Sequence, residues 1–365
     1  MAENYLENLL NDTGENKAIK RDDGPLGLID KLVEKNWTKI EKEGENRYFS
    51  AQSPVNLKGK NNVNIVALGD VGLNVALGLT LLGGSVIGQL GLWDLNYDNL
   101  SRCTIELNQI GGLSSWEAPV IKAIDKNEIF SADVVVFCAS LGVPAIGSNV
   151  KDVRMAQLDR NKALVREYGY LARKEQYKGL VAMVADPVDP LAYEMMTSGM
   201  LQPWQVKGYG LGVMNQRARY YGEKISELNS YLKGGRIYGP HGEDLVVVNS
   251  LDQDFSEDVS LRLKELTVTA NHEVRKLGYK PYIAPAISSA AMAIIDTLQG
   301  KLQHSSVYVG TRKKGAFLGM SNKLEENRIQ VDNSYLPDVA FQWVKESFDK
   351  LVELNVTGQD LECSE

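Results

Sequence analysis

The chain has 365 residues, of which 44% are hydrophobic and 24% charged, which excludes a mostly disordered protein. About two domains are expected at this length. With 40 basic and 47 acidic residues the formal net charge is −7, so no general basic surface for nucleic acid or an anionic membrane is expected. Cys103, Cys138 and Cys363 lie far apart, which indicates a reducing compartment and argues against a disulfide framework or a metal site.

Residues 1–59 are predicted to be an N-terminal extension that is partly helical. Apolar residues from Leu26 to Trp37 follow Gly24-Pro25 at helical spacing, which predicts one amphipathic helix. The acidic start lacks a basic segment followed by an apolar one, so we predict no signal peptide and a cytoplasmic protein. The apolar stretch over 63–95 is interpreted as buried parallel strands rather than a membrane span.

Between residues 60 and 211, short β-rich runs alternate with helical segments. Strands are predicted at 63–68, 88–95, 132–140, 179–186 and 206–212. Helices are predicted up to residue 82, around 98–109 and over 151–174. This alternation predicts a Rossmann domain over 60–211, with a doubly wound parallel sheet and helices on both faces.

After residue 211 the pattern changes to a mixture of helices and antiparallel strands. Helices are predicted at 214–230, 257–277, 284–299 and 337–354. Strands are predicted within 236–249, at 305–310 and at 315–321. We predict a second, mixed α/β substrate domain over 212–356, followed by a tail over 357–365.

The first strand leads into the turn Ala67-Leu68-Gly69-Asp70-Val71-Gly72, which opens a helix. Binding of a dinucleotide needs small residues at such a turn, because the backbone must approach the pyrophosphate and the helix must pack on the strand. The helix N-terminus then offers free N–H groups to the phosphates. Since Ala67 replaces the first glycine, the fingerprint is incomplete, and a tight turn of any α/β protein explains it equally well.

Asp94 closes the second predicted strand, 22 residues after Gly72 (94 − 72). An acid about 20 residues beyond the last glycine binds the ribose hydroxyls in dinucleotide sites. The alternative is an ordinary turn residue at a strand end. Together the turn and the acid predict a nucleotide site, whose candidate cofactor-binding residues are Ala67, Gly69, Asp70, Val71, Gly72 and Asp94.

His241 is the candidate for proton transfer, because it lies on the glycine-rich turn Tyr238-Gly239-Pro240-His241-Gly242 after a short apolar strand. His272, within a predicted helix, and His304, in a polar turn, are interpreted as solvated or packing residues.

Five segments in collinear order, over about residues 62–355, resemble the lactate/malate dehydrogenase family. Residues 236–249 (RIYGPHGEDLVVVN) resemble its GEHGD stretch, and 184–196 (VADPVDPLAYEMM) resemble NPVDxLTY. Residues 153–167 (VRMAQLDRNKALVRE) resemble the helix after the mobile loop, and 208–223 (GYGLGVMNQRARYYGE) resemble GxGTxLDxxRFR. Residues 315–329 (GAFLGMSNKLEENRI) resemble the late strand pair.

The resemblance implies an NAD-dependent oxidoreductase that interconverts a 2-hydroxy acid and a 2-oxo acid, as a homo-oligomer (dimer or tetramer). It implies that Arg217 binds the substrate carboxylate as a bidentate fork. Arg154 would polarise the carbonyl and His241 would transfer the proton. NAD is expected rather than NADP, because Asp94 would repel a 2′-phosphate. A monocarboxylate is favoured, because only Lys151 lies near Arg154 as a second loop cation.

Three departures from the family pattern leave two hypotheses open. The family has an aspartate three residues before the helix arginine, where this chain has Met214, and an asparagine before Pro-Val-Asp, where it has Asp186. The loop from Cys138 to Arg154 is also longer than usual. Either the enzyme is active and Asp186 supports His241 in catalysis, or Asp186 only caps a turn. In the second case the chain is an impaired member that acts as a nucleotide-binding or assembly subunit.

Overall fold

The computed structural model describes residues 48–50, 55–57, 59–111, 116–141, 153–310, 315–325, 328–332 and 334–356. The helix predicted between Leu26 and Trp37, most of the loop before Arg154 and the C-terminal tail lie outside these ranges. Over 153–157 the structure describes the helical backbone alone.

Six parallel strands form the first half of the molecule. They are β2 (Asn61–Val66), β3 (Ile87–Trp93), β4 (Val120–Ala123), β5 (Val134–Phe137), β6 (Leu180–Met183) and β7 (Val206–Gly208). Their spatial order is β4-β3-β2-β5-β6-β7, so the winding direction reverses between β2 and β5. The connecting helices are α1 (Asp70–Leu82), α2 (Tyr97–Asn108), α3 (Val153–Lys174) and α4 (Val188–Ser198). This order confirms the predicted Rossmann fold.

Burial on both faces explains why the central parallel strands are continuous apolar runs. All four residues of β5, with the sequence VVVF, are fully buried, and so are the four residues of β6. Helices cover both faces of a parallel sheet, so no position along such a strand can be polar without a buried partner. The carboxyl ends of these strands therefore emerge from a rigid core.

The second half of the molecule adds antiparallel strands to the same sheet. They are β10 (Gln303–Gly310), β11 (Gly315–Glu325) and β12 (Arg328–Val331), and the short β1 (Tyr48–Ser50) pairs with β12. One antiparallel bridge, Ser306 to Gly208, joins β10 to β7. A separate two-stranded sheet comprises β8 (Arg236–Tyr238) and β9 (Val246–Val248). The sheet thus runs across the predicted domain boundary at residue 211.

The helices of the second half are α5 (Leu211–Lys224), α6 (Tyr231–Gly234), α7 (Glu257–Lys276), α8 (Met292–Leu298) and α9 (Asp338–Val356). A π-helical segment, Pro285–Ala291, leads directly into α8. It packs against α1 at Gly78, where a Cβ would approach the Ala291 Cβ to 2.6 Å. No helix in the described part of the chain is long and apolar enough to cross a membrane.

Among the elements that the sequence patterns missed, three were missed for identifiable reasons. Strand β4 lies at the sheet edge and three of its four residues are exposed, so it lacks an apolar run. Helix α4 contains Pro190 as its third residue, a position where the backbone N–H has no partner within the helix. Strand β12 has only four residues. The strand predicted at 132–140 is shorter, since β5 spans Val134–Phe137.

Candidate active site

The turn after β2 has the backbone geometry of a close approach between helix and strand. A Cβ at Gly72 would lie 1.9 Å from the Ala67 carbonyl oxygen and 3.3 Å from the Cys138 Cβ. Only glycine therefore fits there without a shift of the backbone. Gly69 precedes α1, and a Cβ placed on it would meet nothing within 4 Å. The space beside Gly69, directly before α1, is therefore open, and the free N–H groups of a helix N-terminus favour an anion.

Ala67 adopts the conformation for which glycine is the usual residue. Its φ angle is +70°, in the left-handed region. Its N–H donates to the Trp93 carbonyl oxygen at 2.9 Å, which joins the turn to the end of β3. An alanine at the first glycine position of the fingerprint is therefore compatible with the same turn, at the expense of local strain.

Asp94 lies beside this turn and holds it in place. Its Oδ2 accepts a hydrogen bond from the Leu68 N–H at 2.7 Å and its Oδ1 accepts one from the Asn96 N–H at 2.8 Å. Asn99 also donates to Asp94 Oδ2, at 3.3 Å, and to the Leu68 carbonyl oxygen, at 3.1 Å. The half-buried carboxylate is thus fixed at the edge of the turn.

His241 is fixed by close contacts on the turn between β8 and β9. A Cβ at Gly210, the residue before α5, would approach the His241 Cβ to 3.0 Å. Gly239 has a φ of +88° and its N–H donates to the Gly319 carbonyl oxygen of β11 at 3.0 Å. The imidazole is 15% exposed, so it is shielded from bulk solvent yet reachable from one side.

Asp186 is the acidic partner of His241. It follows β6, and its Oδ1 lies 3.6 Å from the His241 Nδ1, within ion-pair range but longer than a hydrogen bond. The peptide bond between Asp186 and Pro187 is cis. The Asp186 side chain is 47% exposed, so one side of the contact is open to solvent.

Asn161 is a positioning residue that the sequence patterns missed. It is fully buried on α3, and its Nδ2 donates to the Asp186 carbonyl oxygen at 3.0 Å. Its Oδ1 accepts from the Leu141 N–H at 2.9 Å. One side chain therefore ties the ends of β5 and β6 together. Its two partners lie 20 and 25 residues away along the chain, so no local sequence pattern indicated its role.

Asp189 is a second carboxyl group close to Asp186, in the first turn of α4. Burial raises the pKa of Asp189 to about 7, and the Asp186 charge contributes to the shift. The Ser306 hydroxyl lies close enough to lower this pKa, although its geometry is not that of a regular hydrogen bond. Burial therefore favours the neutral form of Asp189 more than it would for an exposed carboxyl group.

Arg217 and Met214 lie one turn apart on α5. Met214 is buried, and its Sδ lies 3.4 Å from the Arg217 Nη1. Arg217 Nη2 donates a short hydrogen bond to the Asn271 Oδ1 on α7. A thioether therefore occupies the position that resembles the family's aspartate, so α5 supplies no carboxylate there.

The structure brings the predicted residues together in two groups. The turn residues from Ala67 to Gly72 meet Asp94, and His241 meets Asp186. Both groups lie at the carboxyl edge of one parallel sheet, where open α/β sheets bind ligands. Arg154 belongs to the first turn of α3, although its side chain is outside the description. Among the described residues, no group of three or more potential ligand side chains could hold a metal ion.

The chain is similar in sequence to proteins of known activity. No family model matches the chain. Malate dehydrogenase 2 from Aquifex aeolicus is 26% identical over 272 residues, covering 69% of this chain and 78% of the relative. L-lactate dehydrogenase 1 from Bifidobacterium longum is 28% identical over 186 residues, covering 50% of this chain and 56% of the relative.

Solved structures share the fold. A lactate dehydrogenase from a deep-sea metagenome library superposes with a TM-score of 0.65 at 18% identity, covering 81% of this chain and 98% of the other. The malate dehydrogenase of Picrophilus torridus gives 0.67 at 17% identity, covering 82% and 98%. The chain is therefore similar in sequence to malate and lactate dehydrogenases and shares the fold of their solved structures, in line with the resemblance of its motifs.

Proposed function

We propose that the protein is an NAD-dependent oxidoreductase that interconverts a 2-hydroxy acid and a 2-oxo acid. The observation that carries this proposal is the imidazole of His241 with a carboxylate 3.6 Å from its Nδ1, at the sheet edge that also bears the dinucleotide turn. An imidazole paired with an acid is suited to exchange a proton near neutral pH. Sequence similarity to malate and lactate dehydrogenases supports the substrate class.

The residues present fit the cofactor. The first turn of α1 would hold the pyrophosphate with backbone N–H groups, and Asp94 would bind the ribose hydroxyls. An acid at this position disfavours a 2′-phosphate, so NAD is proposed rather than NADP. When bound, the nicotinamide accepts or donates the hydride.

His241 transfers the proton in this proposal. Because Nδ1 faces Asp186, Nε2 is the nitrogen available to the substrate oxygen. During oxidation Nε2 takes the proton of the alcohol, and during reduction it returns the proton to the developing alkoxide. Asp186 stabilises the imidazolium that forms. Met214 has no charge and cannot take this role.

Two arginines complete the proposed site. Arg217 binds the substrate carboxylate, and its bond to the Asn271 Oδ1 holds the guanidinium in one orientation. Arg154 is proposed to polarise the carbonyl from the start of α3. A substrate with one carboxylate is favoured, because the sequence offers only Lys151 beside Arg154 as a second loop cation.

The proposal is tested by mixing the protein with NADH and each of a panel of 2-oxo acids. Turnover is measured as the loss of absorbance at the reduced-nicotinamide band. We expect turnover with pyruvate-like acids that exceeds turnover with oxaloacetate, and tighter binding of NADH than of NADPH. Oxaloacetate reduced far better than every monocarboxylate would contradict the substrate assignment.

A homo-oligomer also belongs to the proposal, and a concentration-independent monomer in sedimentation would contradict it.

One observation favours a second candidate, a nucleotide-binding or assembly subunit without turnover. The buried carboxylate of the family pattern is replaced by Met214, and the remaining acid is half exposed. NADH binding in the absence of turnover with every 2-oxo acid would support this alternative.

A further inference from the structure

A lysine from the second half of the chain lies at the start of the dinucleotide-binding helix. Lys280 Nζ is 3.3 Å from the Asp70 Oδ2, although 210 residues separate the two along the chain. Asp70 is the first residue of α1, directly after Gly69. The two side chains are 60% and 68% exposed, so the pair faces solvent at the mouth of the open turn.

Asp70 is unfavourable for a phosphate ligand. A carboxylate in the first turn stabilises a helix through the dipole. The same charge repels a pyrophosphate that approaches the free N–H groups of that turn. A cation beside Asp70 removes this repulsion. Lys280 supplies it, so the charge at the turn depends on a residue outside the β2–α1 unit.

The position of Lys280 is set by the fold rather than by a flexible chain end. Gly278 has a φ of +85°, and its N–H donates to the Arg275 carbonyl oxygen at 2.9 Å, which ends α7 in a sharp turn. The π-helical segment that follows is locked against α1 at Gly78, where Ala291 and Ile287 leave no room for a Cβ. Lys280 lies between this turn and the packed segment, and its Nζ reaches Asp70 in the first turn of α1.

The same segment reaches the catalytic side. Ser289 Oγ donates to the Gly210 carbonyl oxygen and accepts from the Val213 N–H, both at 2.8 Å. Gly210 in turn contacts His241. One rigid segment thus contacts the cofactor helix and supports the histidine turn.

We propose that Lys280 is a dinucleotide-binding residue that contacts the pyrophosphate from the second half of the molecule while offsetting the charge of Asp70. This proposal rests on the proposed function, since it assigns a further contact to the same cofactor. The alternative is an exposed ion pair that contributes little to stability and nothing to cofactor binding.

Dissociation constants measured by tryptophan fluorescence test the proposal. Wild type, Lys280→Met, Asp70→Asn and the double variant are titrated with NADH, ADP-ribose and adenosine. Lys280→Met is expected to weaken NADH and ADP-ribose about tenfold, because both carry the pyrophosphate, and to leave adenosine unchanged. Asp70→Asn is expected to tighten both, and more so in the Lys280→Met background. Lys276→Met, which removes an exposed lysine from the last turn of α7, is the matched control.

The outcomes separate this proposal from the proposed function. If wild type binds NADH and Lys280→Met binds it within twofold of wild type, Lys280 is no cofactor contact and the proposed function stands. A lower melting temperature with unchanged dissociation constants would assign the pair to stability alone, and would also overturn the proposal. If wild type binds neither NADH nor ADP-ribose, both proposals fail.

Discussion

The turn after β2 and the turn that carries His241 both present polar side chains at the carboxyl edge of the sheet. They differ in how far along the chain the contacting residues lie. Asp94 is held by Leu68 and Asn96, which lie within 26 residues of it. His241 meets Asp186, 55 residues away (241 − 186). The first region is stabilised by its own β-α-β unit. The second depends on strands, helices and turns from both halves of the chain.

This difference shows which site features tolerate substitution. In the first region, the Ala67 carbonyl oxygen lies so close to Gly72 that only glycine fits at this position. In the second, a carboxylate can reach the same imidazole from a different strand or helix. The hypothesis that Asp186, after the end of β6, replaces an acid at the α5 position of Met214 describes a change of this second kind.

The largest expected effect is on the proton-transferring residue. His241→Asn should lower kcat/KM by about 10³-fold, because general acid–base catalysis contributes 10²–10⁴-fold. The dissociation constant for NADH, measured by fluorescence, should be unchanged, since His241 belongs to the second region. Equal loss of NADH binding and turnover would show that the two regions are not separable in this way.

Gly72→Ala is expected to show the opposite pattern. The new Cβ would clash with the Ala67 carbonyl oxygen, so the turn must shift, and the free energy of unfolding should fall by about 3 kcal/mol. NADH should bind more weakly even where the variant is folded. Urea denaturation and an NADH titration check both effects. Gly69→Ala, where a Cβ meets open space, is the matched control for stability.

A pH-dependent prediction concerns Lys207 on β7, which ends next to the start of α5. The side chain is buried, its Nζ donates to the Asn322 Oδ1, and burial lowers its pKa to about 7. The unfolded chain therefore binds more protons between about pH 7 and 10.5, and stability rises with pH across that window. Lys207→Met should be more stable than wild type below pH 7, with the difference shrinking towards pH 10. Urea denaturation at several pH values measures it. A difference independent of pH would contradict the lowered pKa.

The smallest expected effect is at Ala67. Ala67→Gly removes the left-handed strain but makes the unfolded chain more flexible, so a gain of about 0.5–1 kcal/mol in the free energy of unfolding is expected. NADH binding should stay equal or improve. A loss of stability on thermal denaturation would show that the +70° φ angle carries no strain.

Much of the first region could be predicted from the sequence, because apolar runs, glycines and a strand-end acid report on neighbours along the chain. The Asp186–His241 contact was hypothesised because Met214 lacks the charge of the family's aspartate while Asp186 adds one. The distance between the two side chains could not be predicted, because it depends on the fold. The contacts of Asn161 and Lys280 could not be predicted from local sequence patterns. Their partners, Asp186 and Asp70, lie 25 and 210 residues away along the chain. The edge strand β4 and the helix with Pro190 were missed because their residues do not follow the usual patterns.

The central claim is that the carboxylate supporting His241 stands at Asp186 and not on α5. Steady-state reduction of the best 2-oxo acid by wild type, Asp186→Asn and the Met214→Asp/Asp186→Asn double variant tests it most directly. We predict a fall in kcat/KM of at least about tenfold in Asp186→Asn, roughly 1.4 kcal/mol of transition-state stabilisation, with part of it restored in the double variant and NADH binding unchanged. A wild-type rate in Asp186→Asn would contradict the claim.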